Sequence, residues 1–220
     1  MLKITIISIS LLLIAGAVTA GGQVDPGQGP AKTINAIIES GTSYNANGQY
    51  KEAMAEFNKV IEMDPKNAEA YNYRGYSCIL AGDFDRAIAD YTKAIDLKPL
   101  YADAYYNRGL VYDMQKNDRE KAIYDLTKAI QLKPKFGEAY LGRGAAYAKA
   151  GKCDAAINDY NKAVEIDPEN GDIYYNRAVS YYNKGEYQKA WDDVKKAQGL
   201  GCEIHSIFLK NLKKASKREG

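Results

Sequence analysis

Side chains able to do chemistry are scarce in this chain. Of its 220 residues one is His and three are Cys. His205 has no Cys or acidic cluster around it at zinc-ligand spacing. A serine- or cysteine-type triad would need it as a positioned base, a poor fit for a residue leading into a basic tail. No P-loop or dinucleotide fingerprint occurs. The 28 acidic residues return with a period, as solvated helix faces do, whereas a catalytic pair is unique. The expectation is therefore no enzyme, no cofactor, no metal and no small-molecule substrate.

The cysteines read as structural. Cys78 stands where other copies of a repeated phrase have Tyr, so it is expected to be buried. Cys153 stands where Tyr50, Phe84 and Tyr187 open similar segments, and Cys202 lies beyond the last of these. Cys153 and Cys202 fall at opposite ends of helices about 20 Å long. A disulfide needs Cα atoms within about 7 Å, so no intramolecular bridge is expected, leaving an interchain bridge through Cys202 as the alternative. Two charged residues also recur: Arg74, Arg108, Arg143 and Arg177, and Asp90, Asp125, Asp159 and Asp193. Ser40 and Glu56 occupy the corresponding places once. An ion pair across each of four helix pairs is expected; an anion-binding ladder of arginines is the competing reading.

Charge narrows the partners. Thirty basic and 28 acidic residues give a formal net charge of +2, and outside the C-terminus the basic residues form no stripe. Nucleic acid is therefore not an expected partner. The unusual count is 19 Tyr against 4 Phe and 1 Trp, which asks for an architectural explanation.

That explanation is a repeat. Pro65, Pro99, Pro134 and Pro168 fall at spacings of 34, 35 and 34. Each closes a phrase such as Ala94-Ile95-Asp96-Leu97-Lys98-Pro99. A second phrase follows: Ala70-Tyr71-Asn72-Tyr73-Arg74-Gly75, Ala104-Tyr105-Tyr106-Asn107-Arg108-Gly109, Ala139-Tyr140-Leu141-Gly142-Arg143-Gly144, Ile173-Tyr174-Tyr175-Asn176-Arg177-Ala178. A third is built around Ala53, Ala87, Ala122, Ala156 and Ala190. Tyr71, Gly75 and Cys78 share one helical face, as do Tyr140, Gly144 and Tyr147. A glycine there costs about 1 kcal/mol relative to Ala, so close approach of a partner helix is the expected reason for it. The proline phrases end helices. One unit cannot bury its own apolar stripe, so neighbours must stack, and most tyrosines are expected in the core.

The spacing and phrases closely resemble the tetratricopeptide repeat. Five units are read: 34–67, 68–101, 102–136, 137–170 and 171–202. Tyr replaces the usual Trp in four, and Ile37 stands there in the first. Arg replaces the usual Leu before Gly. The third unit has one extra residue near Lys116-Asn117-Asp118, and the fifth ends in Gly201-Cys202 in place of the closing proline. The resemblance implies an all-α, right-handed superhelical solenoid of five helix-turn-helix units. A capping helix and basic tail (203–220) follow, with Ile204, Ile207, Phe208 and Leu212 on one face and Lys210, Lys213, Lys214, Lys217 and Arg218 on the other. A cap is the expected role of that segment; contact with an acidic surface or an anionic membrane is the alternative.

The resemblance also implies that the first helices line a concave surface. Partner-binding residues are then expected at Glu69, Asn72, Tyr76, Asp103, Tyr106, Glu138, Leu141, Asp172, Tyr175, Val179 and Tyr182, with Ile79, Leu110, Asp113, Ala145 and Ala148 beside them. Some relatives grip a C-terminal carboxylate with Lys, Arg and Asn here. An edge of Glu69, Asp103, Glu138 and Asp172, with no Lys or Arg on the floor, argues against that. A neutral or basic, partly aromatic peptide or helix is the expected ligand. The plainer reading of the same acids is that they stabilise helix N-termini.

The first twenty residues read as a signal peptide. Lys3 precedes an apolar run from Ile4 to Val18, and Val18-Thr19-Ala20 offers small residues at a cleavage point. The run is shorter than the roughly 20 residues that span a bilayer; an uncleaved signal anchor is the alternative. Residues 21–33 read as a flexible linker. The expectation is an exported, periplasmic or secreted protein-interaction scaffold. A self-associating homo-oligomer and a membrane-surface adaptor are its rivals.

Overall fold

In the computed structural model residues 30–115 and 118–216 are described; the expected signal peptide and most of the linker lie outside them. The described residues form eleven helices and no strand. Ten pair off in order: α1 (Pro30–Ala46) with α2 (Tyr50–Met63), α3 (Ala68–Leu80) with α4 (Phe84–Leu97), α5 (Ala102–Met114) with α6 (Arg119–Leu132), α7 (Gly137–Lys149) with α8 (Cys153–Ile166), and α9 (Gly171–Asn183) with α10 (Tyr187–Gly199). The eleventh, α11 (Ser206–Ser216), closes the array. Each helix packs on its pair partner, and each second helix also packs on the first helix of the next pair. The fold is a helix-turn-helix solenoid.

Local sequence explains the punctuation. The second helices α2, α4, α6 and α8 stop two residues before Pro65, Pro99, Pro134 and Pro168, because the residue ahead of a proline is pushed out of the helical region. Asn67 and Asp83 cap the helices that follow by accepting from the backbone N–H of Ala70 and Arg86, at 3.0 and 3.2 Å. The turns after α1, α3, α7 and α9 pass through Gly48, Gly82, Gly151 and Gly185 at φ between 73° and 82°, a left-handed conformation that glycine adopts without penalty. The third pair has no such glycine; its turn carries the extra residue.

The glycines inside the first helices mark close approach. A Cβ on Gly41, Gly75 or Gly144 would stand 2.7, 2.9 or 2.6 Å from the ring of Phe57, Tyr91 or Tyr160 on the paired second helix. Those three aromatic side chains are fully buried. Gly109 faces the smaller Leu126 at 3.0 Å, and the fifth pair replaces the glycine with Ala178, clustered with Val194. The size of the second-helix residue thus tracks the room left on the first helix. The expectation that most tyrosines are core is only partly right. Tyr91 and Tyr160 are core, while Tyr71, Tyr105 and Tyr140 are half-buried.

Candidate functional site: the concave face

The first helices form the inner side of the solenoid. Helix α1 lies against α3, α5 against α7 and α7 against α9, while no two second helices pack together to that extent. The expected acidic edge is present: Glu69, Asp103, Glu138 and Asp172 are exposed. Two of them have cations close by, Lys98 at 3.5 Å from Glu69 and Lys133 at 3.9 Å from Asp103. Both pairs are about half exposed, so each contributes little to stability.

The floor differs from expectation. Asn72, Tyr106 and Leu141 are 7%, 9% and 4% exposed, so they are not open to a partner. Each packs toward the next helix pair: Asn72 accepts a 3.1 Å hydrogen bond from Asn107 on α5, Tyr106 clusters with Ala139 on α7 and with Phe136 just ahead of it, ring to ring at 4.8 Å, and Leu141 clusters with Ile173 on α9 as well as with Tyr160 on α8. A first helix therefore buries two sides, one on its own second helix and one on the following unit. Tyr175, Val179 and Tyr182 are half-buried for another reason: α11 packs over them. The Phe208 ring stands 5.6 Å from both Tyr175 and Tyr182. The cap thus occupies the C-terminal end of the inner face. What remains open is Tyr76 and Ile79 on α3, Leu110 on α5, and Ala145 and Ala148 on α7, all partly exposed.

Beneath this face runs an arginine ladder. Arg74 Nε and Nη2 donate to both carboxylate oxygens of Asp90 at 2.8 and 2.6 Å. Arg108 with Asp125, Arg143 with Asp159 and Arg177 with Asp193 repeat the geometry at 2.7 to 2.9 Å. The third nitrogen, Nη1, reaches back to the second helix of the preceding pair: Asn58 at 2.6 Å, Thr92 at 2.9 Å, Thr127 at 3.0 Å and Asn161 at 2.7 Å. Each guanidinium also lies over the ring three residues before it: Tyr71, Tyr105, Tyr140 or Tyr174, at 5.4 to 5.8 Å. One arginine thus ties three helices together. A cavity of about 410 Å³ opens beside Arg108, lined also by Tyr112 and Tyr124. All three guanidinium nitrogens of Arg108 are already engaged, so the ladder is structural and offers no anion site. The Asn/Thr rung was missed in the sequence, although it stands two residues after each acid from Glu56 to Asp159.

Among the described residues no group of three or more His, Cys, Asp and Glu is placed to hold a metal ion. Cys78 is buried, Cys153 and Cys202 partly so, and no two are bonded. Burial pushes the Cys78 thiol up to about 11. Burial and a hydrogen bond to Asp172 do the same for Cys202.

Comparison with known proteins agrees with this geometry. The TPR repeat family model matches residues 41–79, 75–115, 113–151 and 146–185. Among solved structures, MamA is 29% identical, with a TM-score of 0.67 over 73% of this chain and 94% of its own. The Pseudomonas aeruginosa protein pilF is 22% identical, with a TM-score of 0.75 over 80% of each chain. YrrB, a TPR protein with an unusual peptide-binding site, is 23% identical, with a TM-score of 0.64 over 85% of this chain and 97% of its own. The comparison with curated proteins found no match.

Proposed function

Because the chain belongs to the tetratricopeptide-repeat family, whose solenoids serve as protein-interaction scaffolds, we propose that it is an exported scaffold holding a peptide or helix of a partner on its concave face. The observation that carries this is the open strip left between the acidic edge and the buried floor: Tyr76, Ile79, Leu110, Ala145 and Ala148. It combines an aromatic, aliphatic side chains and two alanines in a row that crosses three units. A neutral or basic segment suits it, since the exposed acids Glu69, Asp103, Glu138 and Asp172 border the strip. YrrB offers a precedent for peptide binding on this fold.

The test is crosslinked capture with the full chain beside two variants, Tyr76→Ala on the inner face and Tyr124→Ala on the outer, where Tyr124 is 59% exposed. The expected result is a protein kept by Tyr124→Ala and lost by Tyr76→Ala. Equal capture by both variants would sink the concave-face reading. Export is tested by the mass of the mature chain in the exported fraction, expected to begin at Gly21. An intact Met1 confined to the cell interior would refute it. Among the described residues no helix is long and apolar enough to cross a membrane.

A further inference from the structure

The C-terminal end of the solenoid carries a charge that capping does not call for. Residues 195–220 hold seven basic and two acidic side chains, a net +5. The whole chain is only +2, so everything before them sums to −3. Helix α11 contains Lys210, Lys213 and Lys214 and no acid. We infer that this end of the molecule docks on the surface of an anionic lipid bilayer.

The cap accounts for one side of α11 only. Phe208 and Leu212 are buried in the cluster that holds Val194, Tyr175 and Tyr182. Lys210, Lys213 and Lys214 are exposed, and Ile207 is 67% exposed. Ile207, Lys210 and Lys214 fall three and four residues apart, along one side of the helix. Trp191 Nε1 on α10 donates to Ser216 Oγ at 3.3 Å, which brings the exposed Lys195, one turn after Trp191, to the same end. A solvated cap needs polar side chains of either sign. Several lysines of the units stand beside acids: Lys59 by Glu56, Lys98 by Glu69, Lys133 by Asp103 and Lys162 by Glu165. Among the described residues Lys195, Lys210, Lys213 and Lys214 form no ion pair.

The chemistry favours lipid over other polyanions. An ammonium is a point charge with no fixed fork of donors, which suits a fluid sheet of headgroups. Single-stranded nucleic acid is held by open rings on which bases stack, and the rings at this end, Phe208 and Trp191, pack against the solenoid. Each lysine near an anionic surface adds to the attraction, and an exposed Ile among them adds an apolar contact at the headgroup boundary. The lysines lie opposite the side of α11 that covers Tyr175 and Tyr182, so docking this way leaves Tyr76, Ile79 and Leu110 open on the inner face.

The test is flotation of the full chain with vesicles of phosphatidylcholine, alone or mixed with phosphatidylglycerol. Retention is expected on the mixed vesicles only, and raised salt should release it. The triple variant Lys210→Gln, Lys213→Gln, Lys214→Gln should be retained at least about tenfold more weakly. A control, Lys51→Gln, Lys66→Gln, Lys93→Gln, removes the same charge from exposed lysines of the first two units and should bind like the parent. Equal retention on both kinds of vesicle would put the contact in the apolar run at Ile4 to Val18 and overturn the inference. Equal loss in the two triple variants, or no retention of the parent, would also overturn it. Tighter binding to a single-stranded oligonucleotide than to the mixed vesicles, compared per phosphate, would reassign this end to nucleic acid.

Discussion

At Gly144 two physical effects oppose each other. Alanine is the better helix former by about 1 kcal/mol, yet its Cβ would meet the Tyr160 ring at 2.6 Å. Overpacking of that kind costs about 1–3 kcal/mol, so Gly144→Ala is expected to lower the melting temperature. Adding Tyr160→Val should restore it, because the fifth pair already combines Ala178 with Val194. Failure of the double variant to recover would reject steric crowding as the reason for the glycine. The cysteines make a second prediction. A thiol at about 11 is on the order of 0.1% thiolate at pH 8, and the thiolate is the species that alkylates. Iodoacetamide should therefore label Cys202 slowly at pH 8, accelerating steeply as pH rises toward 11. Rapid labelling of Cys202 at pH 8, read by peptide mass, would contradict the environment that Asp172 gives it.

Between elements, the ladder decides how one helix pair grips the next. Arg108 and Asp125 are 14% and 1% exposed as side chains, so removing one leaves the other charged and buried. Such a loss typically costs 3–5 kcal/mol, and Arg108→Ala is expected to destabilise the protein by about that much in denaturant unfolding. Thr92→Val removes the bond across units together with the hydroxyl's own donation to the Ile88 carbonyl at 2.7 Å, and should cost about 1–2 kcal/mol. A change below about 0.5 kcal/mol for Arg108→Ala would mean the ladder is decoration. The arginine–aspartate pairs were legible because both residue types recur unchanged in four of the five units. The third rung was not, since Asn58, Thr92, Thr127 and Asn161 share a role but not a chemistry. The buried floor escaped for a related reason. A periodic pattern reveals the side of a helix packed on its own partner, but Asn72, Tyr106 and Leu141 face the following unit, and their mixed polarity hides a second buried side.

Taken whole, the solenoid is finished differently at its two ends. Its C-terminal end is sealed by α11, whose Phe208 and Leu212 cover Val194, Tyr175 and Tyr182. A chain truncated after Cys202 is expected to melt lower and to self-associate, because that apolar end is then bare. Light scattering that finds a monomer of unchanged stability would contradict the cap. The array and its cap could be read from the sequence, since repeat spacing and an amphipathic tail are both local signals. That α11 also closes the inner face at Tyr175, Val179 and Tyr182 could not, because it depends on where the cap lands. The ladder has ends too. Ser40 stands where an arginine would need a partner ahead of it, and Lys195 stands where the next arginine would look for Asn or Thr. For descent by duplication the consequence is a rule of growth. A copied internal unit brings one arginine and one acceptor, so it slots in without loose ends. A copied fifth unit would set its Arg177 against Lys195 of the original, cation facing cation. By this rule the array lengthens at least cost from the middle, while repeating the last unit brings an unpaired cation with it.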